Sequence, residues 1–375
     1  MPDASSIFIR SRHIGPNHPP YIIAELGVNH DGSVDRALEL VRAADEARAD
    51  AIKLQLFSTD LLMSKAAKLA AYQKSAGETD PISMLRRLEL SAEQMQPILE
   101  LAHELGLHAI LTVFSVELVP EAEKVRSFLG PWDAYKTASP DIINRPLLEA
   151  LAATGRPLIV STGAADLSEV RRAAGWLAPA LEQHRLALPQ CVSSYPTPMD
   201  KAALGGIGAI ADIFNGPVGY SDHTAEIITG SAAVSAGACI LEKHLTYSRT
   251  AKGPDHAASL TPKDLADYVT GAKIAQSGMT PPQRDALAAR FGASDRTKQV
   301  LDIERDVRQV SRQSLTTTRA LPANHLIAAS DLTIKRPGTG LEPFRLSKVL
   351  GRRTARLIEA DIPLGESDLA SDKRG

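Results

Sequence analysis

Short apolar runs alternate along this chain with longer stretches whose apolar residues recur at helical spacing. The short runs at 21–26, 51–57, 108–113, 134–138, 157–161, 186–192, 218–221 and 239–244 read as strands. The stretches at 34–47, 92–105, 116–128, 143–154, 167–177, 201–213, 227–236 and 262–276 read as helices between and after them. Gly106, Gly155 and Gly237 stand where a left-handed residue closes a helix. Strand–helix alternation repeated about eight times predicts a parallel α/β fold, a (β/α)8 TIM barrel. An open doubly wound sheet fits less well, because no Gly-x-Gly-x-x-Gly follows the first strand. Gly205-Gly206-Ile207-Gly208 is wrongly placed for that role and reads as a loop.

The second strand is followed by an insertion over 59–91 with its own helical pattern around 61–73. Excursions of that kind lie at the catalytic face of a barrel and often cover a site. After the last helix, Pro281-Pro282 and a charge-rich run mark a linker over 281–310 with some helix. From Ser311 onward the pieces shorten and turns recur at Pro322-Ala323-Asn324, Pro337-Gly338 and Pro363-Leu364-Gly365. The expected division is a barrel over 1–280, the linker, and a small β-rich second domain over 311–375.

Length and composition agree with this picture. The chain has 375 residues, 44% of them hydrophobic and only 4% aromatic, enough for a large core of small side chains packed closely on a sheet. A formal net charge of −2 argues against a nucleic-acid or membrane-surface partner. No apolar run is long enough to span a membrane, and Met1 to Ser6 show no basic-then-apolar secretory pattern. Cys191 and Cys239 match no metal or redox spacing and read as buried free thiols in a reducing, cytoplasmic setting.

Polar residues collect at the C-terminal ends of the strands. His223 and His244 end two neighbouring strands joined by a helix, so a right-handed βαβ unit brings both imidazoles to one face. Paired imidazoles with open positions suit a Lewis-acidic divalent metal. Lys53 and Gln55 share one face of their strand, and Glu242 and His244 share one face of theirs. Glu25, Lys136, Ser139, Ser161 and Ser221 stand at equivalent places. A lysine inside an apolar strand is costly without a partner, and catalytic groups of barrels gather at this one mouth. Two lysines, several hydroxyls and a metal, balanced by Glu25, Asp222 and Glu242, suit a small phosphate-bearing acid. The same lysines equally suit a metal-independent Schiff-base aldolase. A non-enzymatic module acting through the small domain is the third reading, disfavoured by the intact set of mouth residues.

The ordered motifs Ala24-Glu25-Leu26-Gly27-Val28-Asn29-His30-Asp31-Gly32, Lys53-x-Gln55, Ser161-Thr162-Gly163, Ser193-Ser194-Tyr195-Pro196, Gly219-Tyr220-Ser221-Asp222-His223-Thr224, Glu242-Lys243-His244 and Gly253-Pro254-Asp255-His256 are specific. On them the chain resembles the N-acetylneuraminate (sialic acid) synthase family of bacterial type. Lys335-Arg336-Pro337-Gly338-Thr339-Gly340 is similar to a motif of that family's C-terminal antifreeze-like (SAF) domain. The resemblance implies condensation of phosphoenolpyruvate with N-acetylmannosamine or a related 2-acetamido sugar, giving a nine-carbon 2-keto acid and phosphate. A 2,4-diacetamido-2,4,6-trideoxymannose substrate, leading to legionaminate, is the alternative.

It further implies manganese or magnesium on His223 and His244. Phosphoenolpyruvate would be held by Lys53, Lys136, Ser139, Ser161, Ser193 and Ser221. Glu25, Gln55, Tyr195 and Asp255 would surround the sugar, with Glu242 beside the metal. Arg336 would reach the N-acetyl group of a partner subunit's substrate in a domain-swapped homodimer. The chain departs from the family pattern at Val113, Asp141, Ala164 and Gln190. Asp141 is one methylene shorter than the usual Glu, which bears on substrate preference.

Overall fold

The computed structural model describes residues 5–370. The first residues of the N-terminal segment and the last five of the second domain lie outside the described residues. A hairpin of β1 (Ile7–Ile9) and β2 (Arg12–Ile14) comes first. Eight parallel strands then close a barrel: β3 (Tyr21–Glu25), β4 (Ala51–Leu56), β5 (His108–Val113), β6 (Ala134–Thr137), β7 (Leu158–Val160), β8 (Leu186–Cys191), β9 (Val218–Asp222) and β10 (Ile240–His244). β10 pairs with both β9 and β3, which completes the ring. Helices start where the sequence offers a cap: Ser33, Ser91, Asp166 and Thr261 each accept a backbone N–H of the following first turn.

Period-two alternation sorts each strand between two layers. Ile22, Ile52, Leu54, Leu111, Leu158, Leu188 and Leu241 face outward into the layer shared with the helices. Tyr21, Ile23, Ala51, Ile110, Ala134, Ile159, Ala187 and Ile240 face inward and form an apolar floor. The hairpin, which the apolar pattern did not reveal, plugs that floor from below with Ile7, Ile9 and Ile14.

Two expectations are corrected. The stretch 116–128 is not one helix but a short turn, Val116–Leu118, followed by one helical turn, Val119–Ala122. Pro120 has no N–H to donate backward, so it is tolerated only where a helix begins. Gly205-Gly206-Ile207-Gly208 is not a loop but opens the helix Gly205–Ala211. Close packing demands the glycines there: a Cβ on Gly205 would lie 1.6 Å from the Asp295 carbonyl oxygen, and one on Gly206 2.5 Å from Gln190.

The insertion folds as the helices Thr59–Leu62, Ala71–Ser75 and Pro81–Leu88 over the barrel mouth. The segment after the last barrel helix forms Pro281–Ala289, whose neighbour Phe291 joins the barrel's outer core. Helix Arg305–Ser311 leads into the second domain, built on β11 (Ser314–Thr317) antiparallel to β12 (Leu332–Lys335) around Leu315, Leu321, Ile327 and Leu364. Among the described residues no helix is long and apolar enough to cross a membrane. Both cysteines are buried free thiols.

Candidate active site

The inward positions change from apolar to polar on passing up each strand, so the floor ends where the chemistry begins. Register sets Glu25 beside Lys53 and also beside His244, Thr112 beside Lys136, and Glu242 beside Ser221. One cavity is lined by all fourteen residues expected from the sequence. They are Glu25, Lys53, Gln55, Lys136, Ser139, Ser161, Ser193, Tyr195, Ser221, His223, Glu242, His244, Asp255 and Arg336. Asp222 does not join them. It faces outward, where it pairs with the equally buried Lys243 at 3.0 Å and accepts from Thr224 and Thr229.

The charges are tightly interlocked. Lys53 pairs with Glu25, donates to Thr112 at 2.9 Å and lies 3.8 Å from Glu242. Lys136 lies 3.5 Å from the other oxygen of Glu242. Burial works against ionising Glu242, but Lys136, Lys53 and the two imidazoles outweigh it and hold its pKa at about 2. Glu25 is different. Burial, with Glu242 adding to it, overcomes the attraction of Lys53 and raises Glu25 to about 7. Burial opposes the charge of Lys53, yet Glu242 and Glu25 raise its pKa; burial prevails at Lys136 and lowers it. Asp255 is raised to about 6, mainly by burial. The cavity thus contains one firmly ionised carboxylate and two that exchange protons near neutral pH.

Several buried polar atoms make no hydrogen bond within the protein: the Ser161 and Ser193 hydroxyls, one oxygen of Glu242, Nδ1 of His244 and both oxygens of Asp141. Native interiors leave few such atoms, so a cluster around one cavity points to a polar ligand. The donor set at the imidazoles also fits a divalent cation. His223 Nδ1 lies 2.8 Å from the Val192 carbonyl, which accepts its proton and leaves Nε2 as the ligand atom. The two rings are 5.5 Å apart between centroids, and His244 Nδ1 is 3.6 Å from Asp255. Among the described residues no group of three or more His, Cys, Asp or Glu could hold a metal alone. A cation here would have two protein nitrogens and take its remaining ligands from water and substrate.

Further groups complete the cavity without having been expected. Tyr72 and Gln73 descend from the insertion, and the Tyr72 ring lies tilted against Tyr195, 4.8 Å between centroids, with Tyr195 itself 4.1 Å from the His223 ring. Phe114 carries the Arg336 guanidinium 5.5 Å over its ring. Arg336 enters the mouth of its own chain's barrel: its N–H donates to Leu62, and its carbonyl accepts from Ser64 N–H and Oγ at 3.0 and 2.7 Å. Buried Asp141 lies close enough to Arg336 to feel its charge; burial nevertheless raises that carboxyl to about 7.

A closed parallel barrel whose mouth gathers buried lysines, carboxylates, hydroxyls and imidazoles, roofed by a small second domain, is the frame of a TIM-barrel enzyme. The NeuB family model matches residues 40–281 and the SAF domain model residues 312–370. The chain belongs to the NeuB family, in its bacterial form with a C-terminal SAF domain, and is a sialic-acid-synthase-like enzyme. An N,N'-diacetyllegionaminic acid synthase of Legionella pneumophila is 36% identical, over 92% of this chain and 93% of that protein. The N-acetylneuraminate-9-phosphate synthase of Mus musculus is 29% identical, over 97% and 96% respectively. The crystal structure of spore coat polysaccharide biosynthesis protein spsE from Bacillus subtilis superposes with a TM-score of 0.80 at 28% identity, covering 98% of this chain and 99% of that one.

Proposed function

We propose that the enzyme condenses phosphoenolpyruvate with the open-chain form of N-acetylmannosamine or a related 2-acetamido sugar. The products are a nine-carbon 2-keto acid and inorganic phosphate. One observation carries the reading: two buried lysines bound to a single ionised carboxylate stand next to unpartnered serine hydroxyls and a pair of imidazoles. Lys53, Lys136, Ser139, Ser161, Ser193 and Ser221 then seat phosphate and carboxylate. Gln55, Tyr195, Asp255 and Arg336 surround the sugar.

Manganese or magnesium on His223 and His244 would polarise the sugar aldehyde. Carbon 3 of the enol ester attacks that carbon, and the new alkoxide takes up a proton. Water adds at carbon 2 and loses a proton, and C–O cleavage releases phosphate. Glu25, at about 7 and paired with Lys53, is a group able to hold and pass a proton at neutral pH. Glu242 stays ionised and keeps both ammonium groups in place.

The diacetamido sugar is the second reading. The Legionella relative favours it, as does Asp141, whose unpartnered oxygens near Arg336 set an acceptor beside donors, as an amide requires. The Schiff-base route is less well supported at Lys53, which Glu242 and Glu25 hold protonated despite its burial; burial lowers Lys136 and makes it the lysine to trap. A cytoplasmic homodimer that exchanges second domains would preserve the Arg336 contacts, which this structure makes within one chain. Mixing an Arg336→Ala chain with a chain inactivated in its barrel would then restore activity. A panel of acetamido sugars with phosphoenolpyruvate and manganese, read by phosphate release, tests the function. Sugar-dependent release is expected, whereas a borohydride-trapped pyruvate adduct on Lys53 or Lys136 would replace the reading with the aldolase.

A further inference from the structure

Between barrel and second domain, three charged residues recur every fourth position: Glu304, Arg308 and Arg312. That spacing puts them on one face of the turn and helix they span. All three converge on the short loop that follows β7. Glu304 Oε1 accepts from the Ala164 N–H at 2.7 Å and from the Ser193 N–H at 2.7 Å, while Oε2 accepts from Leu301 N–H at 3.0 Å. The Ala164 carbonyl in turn accepts from Arg308 at 2.5 Å and from Arg312 at 3.0 Å. Both arginines are anchored on Glu169, in the first turn of the helix Leu167–Trp176 that follows the loop.

Ala164 needs this hold. Its φ of +49° lies in the left-handed region, which a residue with a Cβ enters at a cost. The loop it fixes carries Ser161 and Gly163, and Glu304 also fixes the backbone of Ser193. These parts touch: a Cβ on Gly163 would fall 2.3 Å from the Ser193 hydroxyl and 2.5 Å from the Ser139 hydroxyl. The Ser161 and Ser193 hydroxyls are buried and have no protein partner, so they depend on their backbones for direction.

We infer that Glu304 is a positioning residue for the anion-binding serines: through Ala164 and Ser193 it sets where two hydroxyls of the cavity point. Val307 and Ser311 of the same helix line the cavity, and the chain then enters the domain that delivers Arg336. Seating of this segment therefore assembles the anion half of the site together with its roof. The inference rests on the reading that those serines bind the phosphate-bearing substrate.

The test compares the full-length parent with Glu304→Ala, Glu304→Gln and Arg308→Met. Binding of inorganic phosphate and of phosphoenolpyruvate is measured by calorimetry, and both substrates are titrated in steady state. Glu304→Ala should raise the KM for phosphoenolpyruvate and weaken phosphate about 10- to 100-fold, with sugar KM and kcat within about threefold. Glu304→Gln keeps an oxygen that accepts both N–H groups and should return most of the loss. Arg308→Met, loosening the same loop from its carbonyl side, should show the same split at smaller amplitude, even should Glu304→Ala fail to fold. Unchanged phosphate and phosphoenolpyruvate affinity in Glu304→Ala, or in Arg308→Met, overturns the inference, as does an equal rise in both KM values. A parent that binds neither anion overturns the reading of the cavity itself.

Discussion

Replacing Lys136 by methionine removes one positive charge from the cavity wall while keeping most of the side chain's length. Lys136 is 2% exposed, lies 3.5 Å from Glu242 and donates to the Thr137 carbonyl at 3.0 Å. A charge-assisted contact to a bound anion contributes about 1.5–3 kcal/mol. At about 1.4 kcal/mol per tenfold, Lys136→Met should raise the KM for phosphoenolpyruvate roughly 10- to 150-fold. Glu242 loses the cation that most depresses its pKa, which therefore rises, but Lys53 at 3.8 Å keeps it ionised at neutral pH. The fall in kcat should be smaller than the rise in KM. Fold stability should change by no more than about 1 kcal/mol, because methionine fills the space and a desolvated ammonium is gone. Phosphate release with each substrate varied at saturation of the other, together with a thermal melt, reads all three. A KM for phosphoenolpyruvate within about threefold of the parent, with the sugar KM raised instead, would refute the anion assignment of Lys136.

Other consequences follow from the same geometry. His223→Ala or His244→Ala should leave the fold intact, since neither ring supports a strand. Turnover should drop by at least about a thousandfold and manganese binding should weaken; full activity in excess chelator would count against the metal. Glu169 bears on stability as well as on the loop that its two arginines hold. Burial alone would raise its pKa, but Arg312 and Arg308 outweigh that and hold it at about 2. Its folded pKa lies below the ordinary carboxylate value of about 4.3, so its contribution is present above pH 4.3 and fades as pH falls toward 2. Glu169→Gln should cost about 2–4 kcal/mol at pH 7, and melting curves of parent and variant should converge over that acid range. A gap that persists at pH 2 would show that the loss is one of packing.

Much of the barrel could be read in the chain because each strand obeys one alternation. In Ala51-Ile52-Lys53-Leu54-Gln55-Leu56 the inward positions run Ala51, Lys53, Gln55, from apolar floor to polar mouth, and the outward ones are uniformly apolar. Residues supplied from outside the strands left weaker marks. Tyr72 is one aromatic in a surface excursion, and Glu304 is one acid among many in a charged linker; only folding brings either to the cavity. Arg336 was reached through a resembling motif rather than through any local pattern. The hairpin 7–14 has strands of three residues, too short for periodicity to register. The helical glycines at 205, 206 and 208 answer to neighbours remote in sequence, Asp295, Gln190 and Arg296, and so looked like a loop. Asp222 follows the same alternation as Val218 and Tyr220 and faces outward to the buried pair with Lys243; charge alone, without that alternation, sets it among the mouth acids.

The most direct measurement is a crystal structure of the enzyme soaked with manganese and phosphoenolpyruvate, with the metal located by its anomalous signal. The account predicts one ion between the His223 and His244 rings, and a phosphate resting on Lys53, Lys136 and the Ser161 and Ser193 hydroxyls. A metal bound elsewhere, or a phosphate seated away from those lysines and serines, would contradict it.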